Sequence, residues 1–508
     1  MKKYILAIDQ GTTSSRTIIF DDKGKIVAQA KIPFKQYYPE PGYVEHDPEE
    51  IYLTVCQSIQ LAMAKENITA AEILAVSITN QRETVVVWDK NTGKPVYPAI
   101  VWQCRRTADL CYELVKNGCE DMIRAKTGLV ADAYFSGSKI RWILDNVPNV
   151  RIRAEKGELL AGTIDAWLLW KLTAGTVHAT DYSNAARTML FNIHSLTWDD
   201  ELLSMLDIPR CLLPEVKPNA HIFGYVLDEN FGDTDWREVP IAGMAGDQQA
   251  ALFGQACFNI GTIKSTYGTG GFILAQTGKT PVKSQHRLLT TVAWNVGDGV
   301  QYALEGSVFN AGSTLQWLKD ELGLIQTMDE VEILARRAEG QGNPVIVPAF
   351  TGLGAPYWNM EARGAIFGLT RGVNRAQLCR AALESIAYQV ADVYSCISRD
   401  CVEAGVWKIG EKRVMRVDGG AAVSDIMLQL QADLIDATVE RPQVVETTAL
   451  GSALMAGLGV GLWQNISEVA KLWHRDIAFV PKCTEARRNE LMHGWHRAVN
   501  AVLFTTDE

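Results

Sequence analysis

The chain of 508 residues lacks most of the marks of a special compartment or a charged partner. It holds ten cysteines but no CxxC pair and no cysteine–histidine spacing of a metal site. That excludes a disulfide framework and a structural zinc, and the thiols read as reduced in a cytoplasm. Positive charge is in deficit, with 49 Lys and Arg against 59 Asp and Glu, a net −10. A nucleic acid or an anionic membrane is therefore a poor partner, and an anionic ligand must find local positive groups. The longest apolar stretch, residues 449–463, is glycine-rich and too short to span a bilayer, so no membrane insertion is expected. The opening residues show no basic, apolar and cleavage-site order, so no secretory leader is expected. His493 and His496 form the closest histidine pair, and they read as a solvated face of a polar C-terminal helix.

Two common phosphate fingerprints are also missing. Gly278-Lys279-Thr280 has Ile273 where a Walker A loop needs glycine. Gly457-Leu458-Gly459 has Leu462 where a dinucleotide fingerprint needs its third glycine. No linker rich in Pro or Ser divides the chain, yet its length exceeds what one hydrophobic core serves. Two closely apposed domains are expected, 1–256 and 257–508, with the boundary near residues 254–260. A composition of 47% hydrophobic and 21% charged residues suits a large folded core.

The most informative segment opens the chain. Ile5-Leu6-Ala7-Ile8 is an apolar run ending in Asp9, followed by Gln10-Gly11-Thr12-Thr13-Ser14-Ser15-Arg16 and a second apolar run. The pattern predicts strand, tight polar loop and strand. Such a loop offers backbone N–H groups, hydroxyls and one arginine, which suits phosphate oxygens. Asp9 suits a hydrated magnesium ion, which takes only one or two carboxylates. An ordinary polar hairpin would look similar.

Strands and helices then alternate. Asp47-Pro48-Glu49-Glu50 reads as a helix start, with Ile51, Val55 and Ile59 at helical spacing. Residues 73–79 and 84–88 read as buried strands, which implies a mixed sheet flanked by helices. The second half repeats the opening device: residues 261–266, a turn Tyr267-Gly268-Thr269-Gly270-Gly271, then Phe272-Ile273-Leu274. Val414-Met415-Arg416-Val417 ends in Asp418-Gly419-Gly420, with a helix starting near Ser424. Two similar halves facing each other across a cleft are expected.

Several residues carry candidate chemistry. Asp247 follows a strand ending in Gly246, where a ligand can approach bare backbone, and it could take a proton from a hydroxyl. It could equally be a helix cap. Arg82-Glu83 places a donor fork beside an acceptor, either a solvated pair or a cradle for a small polyol, with Trp102 and Phe272 as apolar walls or plain core. Gly419-Gly420 admits a planar group or makes a tight turn. Ala449-Leu450-Gly451-Ser452-Ala453 puts small residues on one helix face, allowing a close crossing.

With these residues in hand, the chain resembles the FGGY carbohydrate kinases nearly end to end. The resemblance is carried by DQGTTSSR from Asp9, NQRET from Asn80, VWQCRRT from Val101, YFSGSKIRWILDN from Tyr134 and TDYSNAARTMLFN from Thr180. It continues in AGDQQAALFGQ from Ala245, TYGTGGF from Thr266, PAFTGLGAPYW from Pro348, RGAIFGLTRG from Arg363, DGGAA from Asp418 and TALGSALMAG from Thr448. It implies an α/β chain of two actin-like, ribonuclease-H-like domains around a deep cleft that closes on its substrates. It implies ATP-dependent phosphorylation of glycerol to sn-glycerol 3-phosphate with Mg2+, in a cytoplasmic homodimer or homotetramer. Asp247 is then the general base. Arg82, Glu83, Tyr134, Asp247 and Gln248 would bind glycerol, with Trp102 and Phe272 packing its carbons. Thr12, Thr13, Ser14 and Arg16 would hold nucleotide phosphates, joined by Thr269, Gly312, Gln316 and Gly420, and Asp9 would position magnesium through water.

Two departures from the family pattern stand out. Ser424 replaces a frequent asparagine near the adenine pocket, which weakens its case as a ligand. Residues 228–238 are acidic where some relatives carry a Gly/Arg-rich loop for fructose 1,6-bisphosphate, and no histidine lies between His221 and Asp247 for phosphorylation. Both controls are expected to be absent or altered. The rivals are a kinase for another polyol or ketose, such as xylulose or erythritol, and an actin-like ATP switch. Arg82-Glu83 and Trp102 favour a three-carbon polyol over both.

Overall fold

The computed structural model describes residues 3–227, 234–338 and 343–505. Residues 228–233, on which most of the expected acidic loop rests, lie outside the described residues. The chain forms two compact units. The first holds Met1–Ala256, Thr290–Tyr302 and Thr447–Trp473; the second holds Cys257–Leu289, Ala303–Glu446 and His474–Glu508.

The main sheet of the first unit uses β1 (Tyr4–Gln10), β2 (Ser14–Phe20), β3 (Ile26–Pro33), β4 (Ile73–Asn80), β5 (Ala220–Tyr225) and β6 (Pro240–Gly246), in the spatial order β5-β6-β4-β1-β2-β3. β1, β2 and β3 pair antiparallel, whereas β4 joins β1 in parallel and β6 joins β4 in parallel. This is the expected mixed sheet. Its central strands are apolar without alternation because both faces are covered: Ile5, Leu6, Ala7 and Ile8 are all buried. The helix Pro48–Lys65 covers one face with Ile51, Val55 and Ile59, and its Asp47 cap accepts from the Glu49 N–H at 2.9 Å. The helices Asp247–Gly254 and Thr447–Gly459 cross closely in this unit. A Cβ at Gly451 would run into the Ala250 carbonyl, and one at Gly254 into the Thr447 carbonyl. The small face of residues 449–453 thus serves close static packing.

The second unit repeats the plan. β7 (Thr262–Tyr267), β8 (Gly271–Gly278), β9 (Val300–Val308, whose first residues belong to the first unit), β10 (Val414–Asp418), β11 (Thr438–Pro442) and β12 (Arg475–Phe479) run in the order β9-β8-β7-β10-β11-β12. β7 and β8 pair antiparallel, and β10 is parallel to both β7 and β11. The helix Arg375–Glu403 buries most of its length against this core. The C-terminal helix Glu485–Phe504 corrects one expectation. His496 is not merely solvated, because its Nε2 lies 2.7 Å from Asp392 Oδ1 on the helix Arg375–Glu403. That carboxylate raises the His496 pKa above its ordinary value, although desolvation opposes the rise. Among the described residues no helix is long and apolar enough to cross a membrane.

Candidate active site

Strand register decides where the chemistry gathers in the first unit. Gln10 pairs with Asn80, and Asn80 with Gly246, so three strands end in one row. The residues that follow leave the sheet along one edge: Gly11 to Thr13, Gln81 to Glu83, and Asp247. Residues distant in sequence become neighbours because parallel strands share a direction.

At this edge Arg82 and Glu83 are fully buried, which rules out the solvated-pair reading. Buried charges must be matched, and these are. Arg82 Nε lies 3.1 Å from Asp247 Oδ1 and 3.9 Å from Glu83 Oε1. Its Nη1 donates to Gln249 Oε1 at 3.2 Å and its Nη2 to Tyr134 Oη at 3.5 Å. A side chain at Gly246 would meet Arg82 Cγ and Cδ at 2.7 Å, so the bare backbone there leaves room for the arginine stem. Asp247 opens the helix Asp247–Gly254, and its Oδ1 accepts from the Gln248 N–H at 2.7 Å. The helix cap is Gly246, and the Asp247 side chain stays 31% exposed, accessible to an incoming hydroxyl.

Trp102 joins this cradle to the first hairpin. Its indole N–H donates to Thr12 Oγ1 at 3.0 Å, and its ring meets Tyr134 edge-on at 5.7 Å. Tyr134 is held from behind by Lys139, whose buried ammonium donates to the Tyr134 and Phe135 carbonyls at 2.5 and 2.9 Å. Burial pulls the Lys139 pKa down to about 8. In the hairpin, Thr13 is exposed at the tip, Thr12 and Arg16 are half-buried and Ser14 is buried. Arg16 and Asp9 face each other across the two strands, with Nη2 to Oδ2 at 2.5 Å. Behind them His46 Nε2 meets Gln36 Oε1 at 2.6 Å, and Gln36 donates to the Thr12 carbonyl at 3.0 Å.

The remaining expected residues lie in the second unit. Thr269 is exposed at the tip of its hairpin, and its carbonyl accepts from the Ala311 and Ser313 N–H groups at 2.9 and 3.1 Å. Gly312 donates its N–H to the Gly268 carbonyl at 2.9 Å and starts the helix Gly312–Asp320, on which Gln316 is exposed one turn later. Asp418 pairs with Thr266, which puts the exposed Gly420 next to the same hairpin. Thr269, Gly312, Gln316 and Gly420 thus form one set. Phe272 lies on β8 of this unit, half-buried, whereas Trp102 belongs to the first unit. Ser424 is engaged within its own unit: its hydroxyl donates to Glu332 at 2.5 Å and caps the helix Asp425–Ile435 by accepting from Met427 N–H at 3.2 Å.

Two family models match successive parts of the chain. The model of the FGGY family of carbohydrate kinases, N-terminal domain, matches residues 4–254, and that of the C-terminal domain matches residues 263–460. The chain belongs to the FGGY family of carbohydrate kinases. This FGGY kinase is 55% identical to glycerol kinase 1 of Clostridium tetani, with 98% of each chain covered. It is 54% identical to glycerol kinase 2 of Thermotoga maritima, with 99% of each covered. The crystal structure of Plasmodium falciparum glycerol kinase with ADP superposes at a TM-score of 0.90 and 36% identity, with 98% of each chain covered.

The residues present fit a magnesium ion held mainly by water and substrate. Among the described residues no group of three or more His, Cys, Asp and Glu could hold a metal. Mg2+ needs no such cage, since it keeps several waters and takes one or two carboxylates plus phosphate oxygens. Asp9, next to the hairpin, is a carboxylate of that kind in this FGGY kinase.

Sequence reasoning missed Arg187. It is fully buried, and its Nε donates to Glu83 Oε1 at 2.6 Å. The signal was available in principle, since an arginine inside the apolar stretch 185–191 must be buried with a carboxylate or not be buried at all. It also missed Asp181, which caps the short helix Tyr182–Ala185 and accepts from Asn219 Nδ2 at 2.8 Å.

Proposed function

We propose that this FGGY kinase transfers the γ-phosphoryl group of ATP to glycerol, giving sn-glycerol 3-phosphate and ADP. The observation that carries the proposal is the grouping of Arg82, Glu83, Tyr134 and Asp247 at one sheet edge, bridged by Trp102 to the Thr12 hairpin. The full-length likeness to glycerol kinases supports the same substrate.

Phosphoryl transfer needs alignment and charge neutralisation more than covalent help. Arg82 and Glu83 offer a donor and an acceptor to vicinal hydroxyls, and Tyr134 and Trp102 wall the carbon chain. Asp247 accepts the proton of the attacking terminal hydroxyl, which makes that oxygen a better nucleophile as the bond to phosphorus forms. The arrangement is small: Arg82 reaches Asp247, Tyr134 and Gln249 together, which leaves space for a short polyol. Arg16 and the hairpin N–H groups neutralise phosphate charge, and Thr269, Gly312, Gln316 and Gly420 hold the nucleotide. Magnesium, when bound near Asp9, would supply further charge neutralisation on the phosphates.

The protein works in the cytoplasm in this reading, consistent with ten cysteines outside any disulfide. The expected homodimer or homotetramer belongs to the same proposal, and sedimentation of the purified chain decides it. The deciding experiment is a polyol panel with coupled ADP detection. Glycerol-dependent ADP release supports the proposal. Release only with xylulose or erythritol, or slow release indifferent to every polyol, overturns it.

A further inference from the structure

We propose that Arg187 is a positioning residue for the phosphoryl acceptor, holding Glu83 so that Arg82 stays with Asp247. This builds on Asp247 as the base proposed above. Four charged side chains run in a row through the first unit. Arg187 Nε is 2.6 Å from Glu83 Oε1, which is 3.9 Å from Arg82 Nε, which is 3.1 Å from Asp247 Oδ1. The first three are buried, with side-chain exposures of 0%, 2% and 2%. A buried carboxylate stripped of its cation draws on the nearest other one. For Glu83 that cation is Arg82, so loss of Arg187 pulls Arg82 from Asp247.

The guanidinium also backs the aromatic wall, lying 5.7 Å from the Tyr134 ring centroid and 5.3 Å from that of Phe135. Its place is fixed by the turn that carries it. Arg187 N–H donates to the Asn184 carbonyl at 3.0 Å. Asn184 and Asn80 exchange side-chain hydrogen bonds at 3.0 and 3.1 Å, just before Arg82 in the chain. Ser183 Oγ accepts from the Gly246 N–H at 3.0 Å, just before Asp247. One short segment therefore registers both loops of the acceptor site.

Other charges face this row. Lys139, buried behind Tyr134, is in electrostatic contact with Glu83. Asp132 holds Arg105 at 2.7 Å. Asp165 and Asp181 are buried further back, and burial raises both carboxyls, Asp165 to about 7. None of these supplies the planar fork that Arg187 gives to Glu83.

The test is steady-state kinetics of the full chain against pH, for the wild type, Arg187→Met and Arg187→Lys. Arg187→Met is expected to lower kcat/KM for glycerol about 100-fold, keep KM for ATP within about threefold, and move the acid limb of the profile up by about one pH unit. Arg187→Lys keeps the charge and is expected to bring the acid limb back to its wild-type position. An unmoved limb in a folded Arg187→Met protein, or equal losses for glycerol and ATP, overturns the proposal. If Arg187→Met does not fold, the double variant Glu83→Gln/Arg187→Met removes both outer charges. Its limb is expected at the wild-type position, and an upward shift overturns the proposal. A wild type without glycerol-dependent ADP release refutes the parent reading instead, and that is seen before any variant is compared.

Discussion

The two units build the same hairpin and fill it differently. In the first, the second cross-strand pair from the turn is Asp9 and Arg16; in the second it is Thr266 and Phe272. The first pair is ionic, and the second has no charge. The supports differ too. The first turn is held by side chains as well as backbone, through Gln36 and His46 and through the Phe34 N–H, which donates to the Thr13 carbonyl at 3.3 Å. The second is held by backbone, through Ala311, Gly312 and Ser313. One backbone device thus serves two chemistries. On the proposed function, the ionic pair would serve phosphate and a metal, and the uncharged pair a nucleotide and a carbon chain. In the proposed reaction the acid–base chemistry falls to the first unit, which carries Asp247, and the second unit mainly binds.

The strongest way to break that division is at Asp247. Asp247→Asn is expected to lower kcat by roughly 10^3-fold, about 4 kcal/mol of transition-state stabilisation. ADP binding, measured by calorimetry, is expected to persist. Near-normal turnover would move the base elsewhere.

A stability probe separates the units next. Gly451→Ala forces a methyl into the Ala250 carbonyl, inside the first unit. The expected cost is about 3 kcal/mol. Hydrogen exchange is expected to rise in residues 4–20 and 240–254 while residues 262–278 keep their protection. Uniform loss in both units would end the claim that they are separate packing units.

Acid sharpens the contrast between the two supports. Burial pushes the His46 pKa from 6.5 down to about 4, so the folded chain holds this ring neutral. Below pH 6.5 the unfolded chain binds a proton that the folded chain refuses. Stability from this group is complete above pH 6.5 and is lost as pH falls towards 4, by at most about 3 kcal/mol. Denaturant titrations at several pH values are expected to show that slope, and His46→Gln is expected to flatten it by about one proton.

The smallest effects compare the two cross-strand pairs directly. Arg16→Met is expected to raise KM for ATP or lower kcat by roughly tenfold, since it removes a charge-assisted contact. Phe272→Leu conserves an apolar wall and is expected to change KM for glycerol by about twofold at most. Equal effects would show that the ionic pair has no special part.

Much of the fold was legible because local rules suffice for it. The Asp47 cap and the Ile51, Val55, Ile59 spacing specify the helix Pro48–Lys65, and apolar runs broken by Gly/Thr turns specify both hairpins. The small face at Gly451 announced a close crossing, although only the fold shows that the helix Thr447–Gly459 returns to the first unit. In the site, Asp247, Arg82 and Trp102 stood out from local pattern and resemblance. Arg187 did not, because its partner Glu83 is far away in sequence and no periodicity links them. His496 looked solvated for the same reason, since Asp392 lies on another helix.

The sequence by itself determined the periodicities, the two glycine–threonine turns, the family and the absence of a membrane-spanning helix pattern, because each depends on neighbours along the chain. The tertiary structure alone decided that Gln10, Asn80 and Gly246 end in one row and that Arg187, Glu83, Arg82 and Asp247 form a charge sequence. The reason is physical: strand register and the burial of charge are set by contacts between distant segments, and their energies exist only once the core has closed around them.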